Sequence, residues 1–157
     1  LIMAKELGTY FEDFVVGSKI GHALSKTIFE SDNNLFSLLT MNLHPLHTNQ
    51  DYASTQQHKD IVVVGTLVFS LAVGITVADV SGKAIANLGY QDIEHLAPVF
   101  VGDTIYVSTE ILGKRASKSK GDRGVVTVKS LVVNQKEELV LTFSRRVLVK
   151  KREVYAS

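Results

Sequence analysis

A long, mainly apolar stretch without charged residues sets the strongest limit on how the chain can fold. It runs for eighteen residues, from Ile61 to Ala78, and is bracketed by Asp60 and Asp79. A helix of this length could just cross a membrane, but the flanks are acidic and two glycines interrupt the run. A helix that is apolar on every side can also form the centre of a domain. The sequence therefore predicts a buried central helix over about residues 64–79 and no membrane association.

The remainder of the chain indicates mainly strands. Enrichment in β-branched residues and partial alternation predict strands at 19–29, 83–95, 104–114, 124–134 and 138–149. Short helices are predicted at 31–41, capped by Ser31 with Asp32 in the first turn, and at 49–57. This order suggests an α+β fold in which an antiparallel sheet wraps around the central helix. An ordinary α+β sandwich would fit the pattern nearly as well.

Length and composition indicate a single domain over residues 1–157. The chain is 45% hydrophobic, which is enough to fill one core. It has no cysteine, which excludes disulfides, thiolate metal sites and cysteine nucleophiles and fits a cytoplasmic location. A methionine at position 3 suggests that Leu1 and Ile2 are not native residues, and no secretory leader is expected.

The net charge of +1 conceals an uneven distribution. Residues 1–110 carry five lysines and twelve acids, whereas residues 111–157 carry twelve basic residues and four acids. Solvent-exposed strands and a hairpin tip would explain the excess of basic residues in 111–157, and so would a binding site for an anionic ligand. The candidate residues for that site are Lys118, Lys120 and Arg123. Nucleic acid is not the expected ligand, because no aromatic residues are interleaved with the basic ones.

The segment from Thr40 to His47 contains several polar side chains that can take part in proton transfer or hydrogen bonding. The imidazole of His47 can take up and return a proton near neutral pH, whereas the amide of Asn42 can only orient water. The spacing of His44 and His47 suggests a metal site at first sight. Pro45 argues against a regular helix there, and no third ligand is spaced nearby, so no metal site is predicted.

Three motifs carry a resemblance to MaoC-like hydratases, and the resemblance covers most of the chain. The segment 40–47, with its flanks 31–36 and 49–53, resembles the family signature, whose usual form is Gly-Asp-x-Asn-Pro-Ile-His. Val64-Gly65-Thr66-Leu67 resembles the glycine before the central helix, and Ala97 to Asp103 resembles the Pro-x-x-x-Gly-Asp turn. Asn42 stands where the common motif has aspartate. The Thr-Met-Asn form resembles a branch associated with mesaconyl-CoA or methylmalyl-CoA hydration.

The resemblance implies a hot-dog fold, a homodimer or larger homo-oligomer, and reversible addition of water to the double bond of an enoyl-CoA. No cofactor is implied beyond the coenzyme A of the substrate, whose phosphates would give the basic residues a ligand. His47 would be the general acid/base, Asn42 would orient water, and the Gly65 N–H would polarise the thioester carbonyl. His44, which replaces the motif's asparagine, would contact the substrate.

Two other functions remain open at this point. A hot-dog thioesterase would need a carboxylate near the central helix, and Asp60 is the obvious candidate. A non-catalytic acyl-CoA-binding subunit is the expectation if a site with Asn42 binds its ligand without turning it over.

Overall fold

One antiparallel sheet and a helix packed against it make up most of the structure, a computed structural model that describes residues 1–152. The strands lie in the order β1-β3-β4-β5-β2 and are β1 (Lys19–Thr27), β2 (Ala84–His95), β3 (Thr104–Ala116), β4 (Arg123–Val133) and β5 (Leu139–Lys150). The helices are α1 (Glu30–Thr40), α2 (Pro45–Thr48), α3 (Gln50–Thr55) and α4 (Gly65–Thr76). A π-helical turn, Val77–Ser81, continues α4, and a 3-10 turn, Phe11–Asp13, precedes β1.

The core lies between α4 and one face of the sheet. Leu67, Val68 and Ala72 of α4 are buried against Leu141 and Phe143 of β5, together with further residues of β3 and β4. A second apolar cluster lies on the sheet between β3, β4 and β5, and the N-terminal segment packs on it through Phe11 and Phe14. The predicted α+β arrangement of an antiparallel sheet around a central helix is confirmed. No helix within residues 1–152 combines the length and the apolar character that crossing a membrane requires.

Several predicted boundaries need correction. Ser31 does not cap α1, because the helix begins one residue earlier, at Glu30, with Phe29 as its N-cap residue. Asp32 lies in the first turn as predicted, and its carboxylate accepts the Phe29 N–H at 2.8 Å. Pro45 does not prevent a helix; it occupies the first position of α2, where its missing N–H costs no hydrogen bond. The α-helical part of α4 ends at Thr76, and the residues up to Ser81 form the wider π turn.

The exposed edges of the sheet are β1 and β2. Strand β2 carries several large apolar side chains that are more than a third exposed: Ile85, Leu88, Tyr90 and Ile93. A long edge strand with unpaired backbone groups and apolar side chains is a template for pairing with another strand. This edge is therefore the part of the sheet best suited to an interface.

A chain of hydrogen bonds through a buried histidine ties the π turn to the sheet. The side chain of His22 on β1 is fully buried; its Nδ1 lies 2.8 Å from Asp79 Oδ2 and its Nε2 lies 2.7 Å from Thr109 Oγ1. Thr109 in turn lies 2.8 Å from the hydroxyl of Ser130. Burial raises the pKa of the Asp79 carboxyl, but hydrogen bonds from His22 and Lys5 outweigh it, so the pKa lies below the ordinary value. The network thus stabilises the fold most when Asp79 is ionised.

We expect Asp79→Asn to lower the free energy of unfolding by about 1–2 kcal/mol at neutral pH, because hydrogen bonds to a charged group are the stronger ones. The folded-state pKa of Asp79 is depressed, so this stabilisation is present above the unfolded-state pKa and is lost as the pH falls through the folded-state pKa. The difference between wild type and variant should therefore shrink below about pH 4. Urea unfolding at a series of pH values measures it.

The matched control for this prediction is Glu137→Gln, which makes the same acid-to-amide change on an exposed side chain in the turn between β4 and β5, away from β2. It should leave stability unchanged at every pH. A loss in Asp79→Asn that is the same at pH 3 and pH 7 would contradict the assigned role of the charge.

Candidate active site

A cavity of about 320 Å³ opens where the start of α4 meets the end of β2. We call it the apolar cavity. Most of its lining is aliphatic and comes from Val62, Val63, Val68, Leu96, Ala97, Pro98, Val99 and Val140. Its polar side chains are three imidazoles, those of His47, His58 and His95, and the described lining residues include no carboxylate, lysine or arginine. A cavity of this kind suits an uncharged, largely hydrocarbon group that meets a few proton donors and acceptors.

His47, on the one-turn helix α2, is held in a single tautomer. Its Nδ1 lies 2.5 Å from the backbone oxygen of Val62. A carbonyl oxygen can only accept, so Nδ1 carries the proton and Nε2 is left with a free lone pair. Val62 itself forms a β-bridge with Phe100, and the Val63 N–H donates to the Val99 oxygen at 2.8 Å. The acceptor that orients the imidazole is therefore fixed to the rest of the fold.

Asn33 fixes the backbone around His47, and sequence reasoning missed it. Its side chain is buried in α1; Nδ2 donates to the His47 backbone oxygen at 3.0 Å, and Oδ1 accepts from the Val64 N–H at 3.0 Å. One amide thus joins α2 to the residue before α4. The only signal in the sequence was an asparagine on the inner face of a short helix, which by itself points to no particular partner.

Gly65 is the first residue of α4, and its backbone lines the apolar cavity. Within residues 1–152 its N–H has no hydrogen-bond acceptor, whereas the preceding N–H is taken by Asn33. Free N–H groups and a partial positive charge are characteristic of a helix N-terminus. The imidazole of His95 lies directly on Gly65, so that a β-carbon added there would be 2.8 Å from Cε1 of the ring.

A second cavity, of about 360 Å³, lies on the other side of His47 and is more polar. We call it the polar cavity. Its lining includes Glu30, Asn34, Gln50 and Asp60. His47 lines both cavities, so it borders an apolar space and a more polar space that can hold water.

Of the candidate site residues, His47 and Gly65 line the same cavity, whereas Asn42 and His44 lie elsewhere. Asn42 follows Met41, whose φ of 60° ends α1, and it is not among the described residues that line either cavity. His44 is the N-cap of α2, and its Nδ1 accepts the Leu46 N–H at 3.1 Å. It lines a separate pocket beside Tyr52 and His58. The two histidine rings, His44 and His47, are 6.1 Å apart between centroids.

The basic residues Lys118, Lys120 and Arg123 lie at the hairpin between β3 and β4, far from His47 in the same chain. Arg123 pairs with Lys150 at the end of β5, whereas Val140 of the apolar cavity lies ten residues earlier on that strand. Ten strand residues span about 33 Å. Their contact with coenzyme A therefore stays a prediction that a single chain does not account for.

Residues 13–134 match the sequence profile of the family described as "MaoC like domain". The chain belongs to the MaoC-like family. That match contains His47, Gly65 and His95, the residues gathered at the apolar cavity.

Two curated proteins and one crystal structure show how this MaoC-like chain relates to others. It is 39% identical over 146 residues to the β-methylmalyl-CoA dehydratase of Chloroflexus aurantiacus, covering 93% of this chain but 41% of that protein. It is 32% identical over 137 residues to the (R)-specific enoyl-CoA hydratase of Rhodospirillum rubrum, covering 87% of this chain and 93% of that protein. A monoamine oxidase regulatory protein from Archaeoglobus superposes with a TM-score of 0.82 at 37% identity, over 96% of this chain and 99% of that one.

These relatives confirm the predicted family and the hot-dog fold. The MaoC-like chain spans less than half the length of the Chloroflexus dehydratase and nearly the whole of the Rhodospirillum hydratase. The same unit thus occurs both alone and as part of a longer chain.

We expect Asn33→Ala to lower the free energy of unfolding by about 2–4 kcal/mol, since it leaves the buried Val64 N–H and the His47 oxygen without partners. Chemical denaturation measures the change. Asn34→Ala is the matched control, because Asn34 is the exposed neighbour on the same helix and lines the polar cavity. Equal losses in both variants would contradict the bridging role of Asn33.

Proposed function

We propose that this protein is an acyl-CoA hydratase/dehydratase, which adds water reversibly to the double bond of an enoyl-CoA. The observation that carries the proposal is the position of His47, whose Nδ1 is committed to the Val62 oxygen while its ring lines the same cavity as Gly65. A base with a free Nε2 and an unpaired backbone N–H then face one apolar space. The hydratase and dehydratase names of two relatives support this choice.

In the proposed reaction His47 carries out both proton transfers. Its Nε2 takes a proton from water as the oxygen bonds to the β-carbon of the enoyl group. The protonated ring then delivers a proton to the α-carbon, so that one water molecule is added and the imidazole returns to its starting form. The polar cavity beside His47 is a suitable source of that water. The reaction moves only water and protons, so the proposal includes no cofactor other than the coenzyme A of the substrate.

Gly65 has the complementary role of stabilising the enolate. Attack at the β-carbon moves negative charge onto the thioester oxygen, and a backbone N–H at a helix N-terminus is a suitable donor for it. The absence of a side chain on Gly65 allows a carbonyl oxygen to come close.

We also propose a homodimer formed through β2, with its exposed Leu88 and Ile93. The Ala84 end of β2 lies beside the basic end of β5, and the His95 end lies at the apolar cavity. Antiparallel pairing of β2 with a second copy would set these opposite ends side by side. The partner's Lys118, Lys120 and Arg123 would then lie at the end of the sheet that carries His47, where they could meet the phosphates of coenzyme A.

Sedimentation equilibrium should find a mass twice that of the chain. Ile93→Lys, which puts a charge on the edge strand, should shift the protein to monomer. Leu112→Lys changes a similarly exposed leucine on the interior strand β3 and should leave the dimer intact. A wild-type monomer, or a monomer produced by both variants, would contradict an interface at β2.

His47→Ala should abolish hydration, with kcat falling by about 10²–10⁴-fold because the only proposed proton carrier is removed. The loss of the conjugated double bond of crotonyl-CoA and of mesaconyl-CoA is followed by absorbance. Equilibrium binding of acyl-CoA should persist in the variant. Hydration that survives in His47→Ala would overturn the proposal.

Two further variants in the same assay separate the alternative functions. A thioesterase would release free thiol and would depend on Asp60, whose Oδ1 accepts the Ile61 N–H at 2.7 Å in the polar cavity. If the protein is a hydratase, Asp60→Asn should leave the rate of hydration unchanged.

Asn42 lies outside both cavity linings, and Asn42→Asp should change the rate of hydration by less than about threefold. A strong rise would mean that the asparagine replaces a lost catalytic acid. A strong fall would support the water-orienting role predicted from the sequence.

A further inference from the structure

His95 is the polar group at the apolar cavity that the proposed reaction leaves without a role. It is the last residue of β2 and is paired with Leu141 across the sheet. Its side chain is exposed, and among the described residues it has no hydrogen-bond partner. A histidine that ties no two parts of the fold together is available to a ligand.

The ring of His95 lies edge-on to Gly65. A β-carbon built on Gly65 would meet Cε1 at 2.8 Å, Nε2 at 3.1 Å and Nδ1 at 3.2 Å. The edge that faces the glycine is therefore the one that carries Cε1 between the two ring nitrogens. In either neutral tautomer one of those nitrogens is an N–H donor. This donor lies within a few ångströms of the backbone N–H that the proposed function assigns to the thioester oxygen.

We propose that His95 donates a second hydrogen bond to the thioester oxygen, so that the Gly65 N–H and the His95 imidazole together hold the enolate. This inference rests on the proposed function and adds a catalytic residue to it. Two donors suit an enolate oxygen, which can accept more than one hydrogen bond. Loss of one oxyanion donor typically lowers kcat by about 10²–10³-fold.

The surroundings favour a donor to a developing anion over the other roles of histidine. The described lining of the apolar cavity includes no carboxylate that could pair with an imidazolium, and the proposed reaction already assigns proton transfer to His47. The third imidazole, His58, packs edge-on to Phe100 with 5.9 Å between ring centroids and also lines two neighbouring pockets. His95 is thus the histidine that directly faces the first residue of α4.

The same contact explains why residue 65 is a glycine. The methyl group of an alanine would collide with the His95 ring, which is the end of a flexible, exposed side chain and can turn away. Gly65 has ordinary helical backbone geometry, so alanine there would not strain α4. Gly65→Ala should therefore fold normally and displace the second donor.

The test compares His95→Phe, which keeps an aromatic ring but has no donor, with His95→Gln, which keeps an N–H donor. Hydration of crotonyl-CoA gives kcat and KM, and the absorbance of bound cinnamoyl-CoA reports how strongly the thioester carbonyl is polarised. His95→Phe should lower kcat by about 10²-fold with little change in KM and should remove most of the red shift. His95→Gln should retain the red shift and most of kcat. Circular dichroism checks that both variants are folded.

A double-mutant comparison adds a second readout. If Gly65→Ala displaces the His95 ring, Gly65→Ala combined with His95→Phe should be no worse than Gly65→Ala alone. A further loss of kcat in the double variant would overturn the inference, and so would a His95→Phe variant within about threefold of wild type that keeps the red shift.

The cinnamoyl-CoA spectrum also separates failure of this inference from failure of the proposed function. A wild-type protein that hydrates no enoyl-CoA but polarises the bound thioester through His95 would overturn the hydratase proposal and leave the donor role standing. If the wild-type protein hydrates enoyl-CoA and His95→Phe leaves that activity intact, the donor role of His95 is overturned and the hydratase proposal stands.

Discussion

The packing of α4 against the sheet determines where chemistry can occur in this molecule. The helix carries no charge, so its apolar side must be covered, and residues of β3, β4 and β5 cover it. Its backbone is satisfied internally except at the ends, where N–H groups remain unpaired. The first turn, at Gly65, reaches a cavity at the end of β2, and its free N–H can meet a ligand there. Burial of the helix thus selects its N-terminus as the reactive part of the backbone.

His47 and Gly65 belong to different segments, and two side-chain contacts, which comprise three hydrogen bonds, hold those segments in register. Asn33 joins the His47 oxygen to the Val64 N–H, and the Val62 oxygen orients the imidazole. Each of these contacts connects His47 to a residue just before α4. Removing either contact would leave both groups present but not aligned, and a misplacement of about 1 Å at a catalytic group can cost about 10²-fold in rate. The positioning contacts therefore matter as much as the groups that they position.

The sequence pattern was sufficient for an α+β arrangement around a central helix, whereas the hot-dog fold and the candidate residues His47 and Gly65 came from the resemblance, and the reasons are physical. The mainly apolar run from residue 61 to residue 78, which carries no charge, predicts a buried helix, and segments rich in β-branched residues predict the sheet that covers it. The motif around His47 and the glycine at residue 65 come from the resemblance, since spacing alone does not bring two distant segments together. Asn33 and His95 escaped prediction because each acts across the fold, on partners 14 to 31 residues away. Pro45 was misinterpreted because a proline within a helix and a proline at its first position have opposite consequences.

The distribution of charge around His47 gives a physical account of a site without a catalytic carboxylate. Carboxylates Glu30 and Asp60 line the polar cavity, whereas the described lining of the apolar cavity holds only neutral or imidazole groups. Negative charge beside the thioester oxygen would disfavour the enolate, because like charges repel strongly where water is excluded. Acids on the far side of His47 can exchange protons with water without facing that oxygen. Asn42 lies outside the described lining of both cavities, so this arrangement leaves proton transfer to the His47 imidazole whichever of the two side chains, amide or carboxylate, stands at residue 42.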